Sequence, residues 1–293
     1  MYTYLAFGFR ISSEIELSKF LATSFEQADL YIKKKAASYD IEKPIIDKIH
    51  IKANKTAFEL RTKFTQFFFD KTRQTLFTSF TNKHQFEQYL YGPIMAIICA
   101  YYNQIPIHAS GVVYNDKSLL LLGNSGSGKS TLLYHFIQKH QARFFADDIV
   151  AVRKEQQLIK ALPAFPDIKL WLDAIERYHA SINKQVHPDI NKYLINCHSF
   201  FNTQIQSPST IFILQNHVTP NTFIEQIHGV KKFILLSKYI YRRNIVESMF
   251  RQNVFETLTT LANQTDIYII HRSHSITSEK WDSFIMECLK LVK

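Results

Sequence analysis

Glycine is scarce in this chain: 293 residues carry only seven. Flexible glycine-rich linkers are excluded. Cysteine is scarcer still. Cys99, Cys197 and Cys288 stand far apart, odd in number and without a Cys-x-x-Cys pair. Neither a disulfide framework nor a cysteine zinc site is expected, and a reducing, cytoplasmic setting is. No internal repeat and no low-complexity segment interrupts the chain. The opening MYTYLAFGFRISSEIELSKF lacks a basic leader and a long apolar core, so no secretory signal is expected. The most apolar later stretch, GPIMAIICAYYNQIPI, is broken by Pro93, Asn103 and Gln104 and is too short to span a bilayer. A soluble protein with no membrane partner is expected.

Positive charge is in excess, 35 Lys and Arg against 25 Asp and Glu, a formal net charge of +10. Such an excess favours an acidic or phosphorylated partner. The basic residues are nevertheless spread along the chain, with local pairs only at Lys231–Lys232 and Arg242–Arg243, and the plainer reading is a solvated lysine-rich surface. There is no long basic arm, no zinc finger and no aromatic RNA-binding signature, so no nucleic acid is expected. Hydrophobic residues make up 46%, ample for a packed core.

The first 83 residues read as short strands with one helical segment. YTYLAFGFRI alternates large apolar residues with smaller or polar ones, SFEQADLYIKK passes from turn to strand, and TAFELRT, TQFFFDKT and QTLFTSFTN follow as strands between polar turns. A small, mostly antiparallel β-rich domain over 1–83 is expected. From His84 the period changes: Phe86, Leu90, Ile94, Ile97, Ile98 and Tyr101 recur at helical spacing, and Pro93 suggests a restart of the helix. IPIHASGVVYNDKSLLLLG then reads as a strand, a hairpin turn at Asn115–Asp116 and a buried strand. KSTLLYHFIQKH reads as a helix and ARFFADDIVAV as the next strand. That order is an α/β phosphate-binding core, expected within 84–293. Further on come a short helix at Leu170–Tyr178, a buried strand STIFILQN, a helical stripe of Ile245, Met249, Leu258 and Leu261, a strand DIYIIHR and a closing helix SEKWDSFIMECLKLV.

Three of the seven glycines fall within six residues, in LLLLGNSGSGKST, Leu119–Thr131. The stretch matches G-x-x-x-x-G-K-S/T at Gly123, Gly128, Lys129 and Ser130. Gly123, Asn124, Ser125, Gly126, Ser127 and Gly128 form the loop, and Lys129, Ser130 and Thr131 open the helix. The glycines let successive N–H groups point at one anion, and the helix aims its positive end at the same place. Lys129 suits the β- and γ-phosphates of ATP, and the Ser130 hydroxyl suits Mg²⁺. A flexible turn with a coincidental lysine is disfavoured by the flanks, a buried strand before and an amphipathic helix after.

The next carboxylates along the chain are Asp147 and Asp148, in FFADDIV. Successive strand residues face opposite sides, so the two cannot be equivalent unless the backbone turns there. One suits orienting or deprotonating an acceptor hydroxyl, the other a metal or a neighbouring His. An ordinary Asp-Asp turn is the plain alternative. His108, in PIHASG, precedes the loop's strands; by spacing alone it reads as a structural histidine.

PIHASGVVYNDKSLLLLGNSGSGKST followed by RFFADDIVAV resembles the catalytic domain of HPr kinase/phosphorylase, in which a His, a phosphate loop and an Ala-Asp-Asp strand occur together. The resemblance implies a P-loop kinase core of the type shared with phosphoenolpyruvate carboxykinase, here with a small N-terminal β-rich domain. It is closer to the HPr-kinase-like enzymes of lasso-peptide biosynthesis, through YLAFGFRISSEIELSKF, LYGPIMAIICAYYNQIPIHAS and PAFPDIKLWLDAIERY in that order. Those enzymes phosphorylate the C-terminal serine of a precursor peptide. The resemblance implies that Gly123 through Ser130 cradle ATP and Mg²⁺, that Asp147 is the general base, that Asp148 is a metal or supporting carboxylate, and that His108 sits beside the pair. Lys169, in IKLW, also fits the pattern. The resemblance stops at the second signature of true HPr kinase/phosphorylases, an E-x-R-G-x-G-type loop: here FPDIKLW stands in that region, and Gly229 is the single glycine after Gly128.

An ATP- and Mg²⁺-dependent kinase acting on a serine hydroxyl of a peptide is therefore expected. Arg242, Arg243 and Arg272 are candidates for completing the phosphate clamp, although each alone reads as a surface arginine. Two other readings stand beside it: a small-molecule kinase acting on free serine, and a nucleotide-binding regulator that transfers nothing.

Overall fold

The computed structural model describes residues 1–37, 40–187, 190–217, 221–273 and 276–292. They gather into two compact units, Met1–Pro106 with Ile240–Phe255, and Ile107–Tyr239 with Glu256–Lys293. The result is a mixed α/β protein with several sheets.

The first unit is built on nine strands: β1 (Tyr2–Ala6), β2 (Phe9–Ser13), β3 (Leu21–Ala22), β4 (Leu30–Lys33), β5 (Ile46–Lys48), β6 (Ile51–Ala53), β7 (Ala57–Arg61), β8 (Thr65–Asp70) and β9 (Thr75–Phe80). They form one sheet in the order β3-β1-β2-β4-β9-β8-β7-β6-β5, with β4 parallel to β2 and β9 and the other pairs antiparallel. The YTYLAFGFRI alternation conceals a reversal, because Phe7 and Gly8 both take positive φ, 52° and 74°, and turn β1 into β2. The helical segment expected before residue 83 is absent among the described residues.

Two helices, α1 (Lys83–Tyr89) and α2 (Met95–Tyr101), cover that sheet. Phe67 and Phe69, two apart on β8 and so on one face, meet Phe86 at 5.8 Å and Tyr101 at 5.3 Å between ring centres. Pro93 does not restart a helix. It lies in a single wider π-turn, Leu90–Ile94, joining α1 to α2. Proline has no N–H to donate and crowds the preceding turn, and a wider turn absorbs both defects. The change of period at 83/84 is therefore real but is not the division between units, since α1 and α2 pack within the first. The chain leaves this unit through β10 (Ile105–Ile107).

The second unit contains β11 (Ala109–Tyr114), β12 (Lys117–Gly123), α3 (Lys129–His140), β13 (Arg143–Ala146), β14 (Val150–Glu155), β15 (Leu158–Leu162), β16 (Asp167–Trp171), α4 (Leu172–Tyr178), β17 (Lys184–His187), β18 (Ile190–Asn196), β19 (Pro208–His217), β20 (Phe223–Ile227) and α5 (Val230–Lys238). After α6 (Arg243–Gln264), whose residues through Phe255 belong to the first unit, come β21 (Asp266–Ser273) and α7 (Ser278–Leu289). The principal sheet runs β13-β11-β12-β19-β21-β20, with β12, β19 and β21 parallel. Leu119 to Leu122 are fully buried, as a central strand covered on both faces requires. Leu119 and Leu121, on one face, share a core with Leu132, Leu133 and Phe136 of α3 and with Trp281, Ile285 and Leu289 of α7.

Several elements differ from expectation. ARFFADDIVAV is two strands, β13 and β14, broken at Asp147–Ile149. The short helix begins at Leu172, because Leu170 and Trp171 complete β16 against β18. α6 departs from helical geometry at Phe250, φ −132° and ψ 35°, where the ring meets Tyr101 edge-on at 5.2 Å. The hairpin β17–β18, strands β15 and β20, and α5 were not anticipated. No helix among the described residues is long and apolar enough to cross a membrane.

Gly111 of β11 lies against the Phe145 ring, and a Cβ there would fall 2.7 Å from Cε1. Gly111→Ala is expected to cost about 1–3 kcal/mol through overpacking, read as a lower denaturant midpoint at unchanged slope.

Candidate active site

The loop between β12 and α3 holds two glycines that no other residue replaces cheaply. Gly123 has φ 150°, and a Cβ on it would meet the Leu214 carbonyl of β19 at 2.8 Å and the Ser127 hydroxyl. Gly128 caps α3 in the left-handed region at φ 98°. Between them the chain curls under the first turn of α3, where helix N–H groups lack internal partners and favour an anion.

Lys129 opens α3 and is buried, 7% exposed. Its ammonium uses all three donors: to the Gly123 carbonyl at 2.8 Å, the Asn124 carbonyl at 3.1 Å and His108 Nε2 at 3.0 Å. Burial pushes it down from 10.5 to about 8, against the opposing pull of Asp147 and Asp148. An ammonium can only donate, so His108 Nε2 accepts and Nδ1–H donates to the Asp148 carbonyl at 3.0 Å. Burial first, then Lys129, lowers the His108 pKa and keeps the ring neutral.

The two aspartates part company because the backbone turns left-handed at Asp148, φ 75°. Asp147, 4% exposed, points beneath the loop. Its Oδ1 accepts from Ser130 Oγ at 2.9 Å and Ser110 Oγ at 2.7 Å, and its Oδ2 from the Lys169 N–H at 3.1 Å. The Asp148 side chain is 26% exposed and lines the cleft with His108, Lys129, Lys169, Trp171 and Lys192. Its Oδ2 accepts from Lys169 Nζ at 2.6 Å. Burial works to raise its pKa, but Lys169, His108 and Lys192 outweigh burial and hold it at about 2.

The structure thus brings His108, the loop, Lys129, Ser130, Asp147, Asp148 and Lys169 together within the second unit. Ser130 and Asp147 present hard oxygens side by side, a donor set suited to Mg²⁺, which takes one or two protein oxygens alongside phosphates and water. Arg272 of β21 also reaches the loop, its Nη1 3.7 Å from where a Cβ of Gly128 would stand. Arg242 and Arg243 belong to the first unit, where Arg243 pairs with Glu247 at 2.9 Å. Ser110 escaped sequence reasoning, although alternation places it on the face of His108, two residues before it. Lys192 and Trp171 had no local signal; they come together through the register of β16 on β18.

No family model and no curated protein matches the chain in sequence. Among solved structures it is similar to the Hpr(Ser) kinase/phosphatase from Coxiella burnetii, at 10% identity, over 64% of this chain and 97% of that one, with a TM-score of 0.33. A likeness that loose carries no functional weight, and the function is read from the site's own residues.

Lys129 is charged below about pH 8 and neutral above it, and phosphate binds the charged form. If the loop takes ATP, its affinity is expected to stay level from about pH 6 to 7.5 and to weaken above about pH 8, toward tenfold per unit. Titration calorimetry across that range checks it; affinity that rises with alkalinity would contradict a charged Lys129 at the phosphates.

Proposed function

We propose that this chain is an ATP- and Mg²⁺-dependent kinase that phosphorylates a serine hydroxyl, with the C-terminal serine of a lasso-peptide precursor as acceptor. One observation carries the kinase reading. The phosphate loop and both aspartates belong to a single hydrogen-bonded ring: Lys129 to His108, His108 to Asp148, Asp148 to Lys169, Lys169 to Asp147, and Asp147 to Ser130, back at the loop. The acceptor follows from the resemblance of the sequence to lasso-peptide kinases. Trp171 and Lys192, whose ammonium lies 5.6 Å from the Trp171 ring centre, add an apolar face and a positive charge suited to a chain end. A cytoplasmic setting suits three buried free thiols.

The roles follow from position. Lys129 exchanges loop carbonyls for β- and γ-phosphate oxygens. Ser130 and Asp147 hold Mg²⁺, which when bound neutralises charge on the phosphates. Asp148, facing the cleft, orients the acceptor hydroxyl. A carboxylate at about 2 is a weak base, so it takes the proton late, once bonding to phosphorus has acidified the hydroxyl. His108 holds the Asp148 backbone and Lys129 in one frame. This exchanges the roles that the resemblance gives the two aspartates.

Intact-mass spectrometry of a serine-terminated peptide incubated with the protein, ATP and Mg²⁺, beside a free-serine control, tests the activity. One added phosphate on the terminal serine is expected. Phosphate on free serine alone would make this a small-molecule kinase, and ATP bound without transfer would favour a regulator. Asp148→Asn is expected to keep Mg·ATP affinity within about threefold and to lower transfer by about 10²-fold or more. Asp147→Asn is expected to weaken Mg²⁺-dependent ATP binding. The opposite pattern would return the two aspartates to the order implied by the resemblance.

A further inference from the structure

A second cavity of the same unit, about 420 Å³, is walled by His135 and Lys139 of α3, Arg177 of α4, Arg272 of β21, and Trp281 and Asp282 of α7. We infer that this cavity seats the nucleoside end of the nucleotide whose phosphates lie in the loop, an inference that rests on the phosphate-loop reading above.

Arg272 ties the two places together. It lines the cavity, and the same guanidinium lies 3.7 Å from the vacant Cβ position of Gly128. The topology makes this contact natural. β12 and β21 flank β19 in parallel, so their C-terminal ends open on one edge, the side on which open α/β sheets take ligands. Strands two apart are separated by about 10 Å, the scale of a nucleoside. A ligand with its phosphates at the end of β12 has its base at the end of β21.

The walls suit a base and its nearest phosphate. The Arg272 guanidinium stacks 4.6 Å from the Trp281 ring centre, and a flat cation braced by an indole is a surface on which a base stacks. Among the described residues neither Arg177 nor Arg272 forms an ion pair with a carboxylate, and their mutual repulsion adds to burial in lowering the Arg272 pKa. An α-phosphate relieves that repulsion. His135, 2% exposed, bonds Tyr178 through Nδ1 at 3.0 Å, while its Nε2 has no hydrogen-bond partner among the described residues, with Asp282 at 3.7 Å.

Calorimetry with Mg·ATP and with Mg·tripolyphosphate separates the nucleoside from the phosphates. The wild-type chain is expected to bind ATP at least about tenfold more tightly than tripolyphosphate. Gln138→Trp, from an exposed position of α3 on the cavity wall, should fill the cavity and remove that advantage while leaving tripolyphosphate within about twofold. Lys129→Ala should weaken both ligands. If Gln138→Trp leaves ATP unchanged, or if the wild type binds both equally through Lys129, the nucleoside lies elsewhere and the phosphate-loop reading stands. A second tripolyphosphate per chain, lost in Gln138→Trp, would make the cavity a separate anion site and overturn the inference. Failure of the wild type to bind either ligand would overturn both readings together.

Discussion

The site depends on one backbone reversal. At Asp148 a non-glycine residue adopts φ 75°, between two strands that would otherwise run on as one. Had the strand continued, consecutive carboxylates would face opposite sides of the sheet, and at most one could serve the phosphate loop. The turn sends Asp147 beneath the loop to Ser130 and Asp148 outward into the cleft, and Lys169 holds both, one through its N–H and the other through its ammonium. A left-handed conformation at an aspartate costs up to a few kcal/mol. The surrounding partners over-determine it, since His108 holds the Asp148 carbonyl while Lys169 holds its carboxylate.

Charge balance makes the arrangement tolerable. Two ammonium groups, Lys129 and Lys169, and two carboxylates, Asp147 and Asp148, meet around a neutral imidazole, so the ring has no net charge before any ligand enters. Buried charges are sustainable only when paired and hydrogen-bonded. A triphosphate upsets this balance at once. The compensating positive charge stands just outside the ring, with Lys192 acting on both Lys129 and Asp148, and Arg272 at Gly128. Under the proposed reading Lys129 would donate to phosphate oxygens by releasing carbonyls of its own loop, an exchange of comparable hydrogen bonds in which the new partner is charged. The loop is held open-handed by the same contacts it gives up.

How much of this was legible in the sequence depended on whether the signal was local. The break between β12 and α3, the extent of α3 from Lys129 to His140, and the Asn115–Asp116 turn, with φ 48° and 59°, rest on spacing within a few residues, and these elements stand where the sequence puts them. The Asp pair was visible, but the turn separating its members was not, because no glycine marks it and its cause lies in Lys169 and His108, both remote in sequence. Pro93 looked like a boundary, and only packing of α1 and α2 on the sheet lets the chain pass through it as a π-turn. The membership of Ile240–Phe255 in the first unit had no signal at all, being a matter of tertiary contact across more than a hundred residues.

Net charge shows the same limit from the other side. A surplus of +10 says little when the basic residues are scattered along the chain. Folding sorts them. Arg243 is absorbed by Glu247 one helical turn away, and Arg10 is held by Asp29 at 2.7 Å. Lys169 is consumed by Asp148. Arg177 and Arg272 are brought together from opposite sides of a long stretch of chain, with no carboxylate ion pair for either among the described residues, at one cavity wall. The two guanidinium groups repel one another, which adds to burial in lowering the Arg272 pKa, while Arg272 rests on the Trp281 ring. Under the proposed reading, an anion held at the neighbouring loop would offset that repulsion.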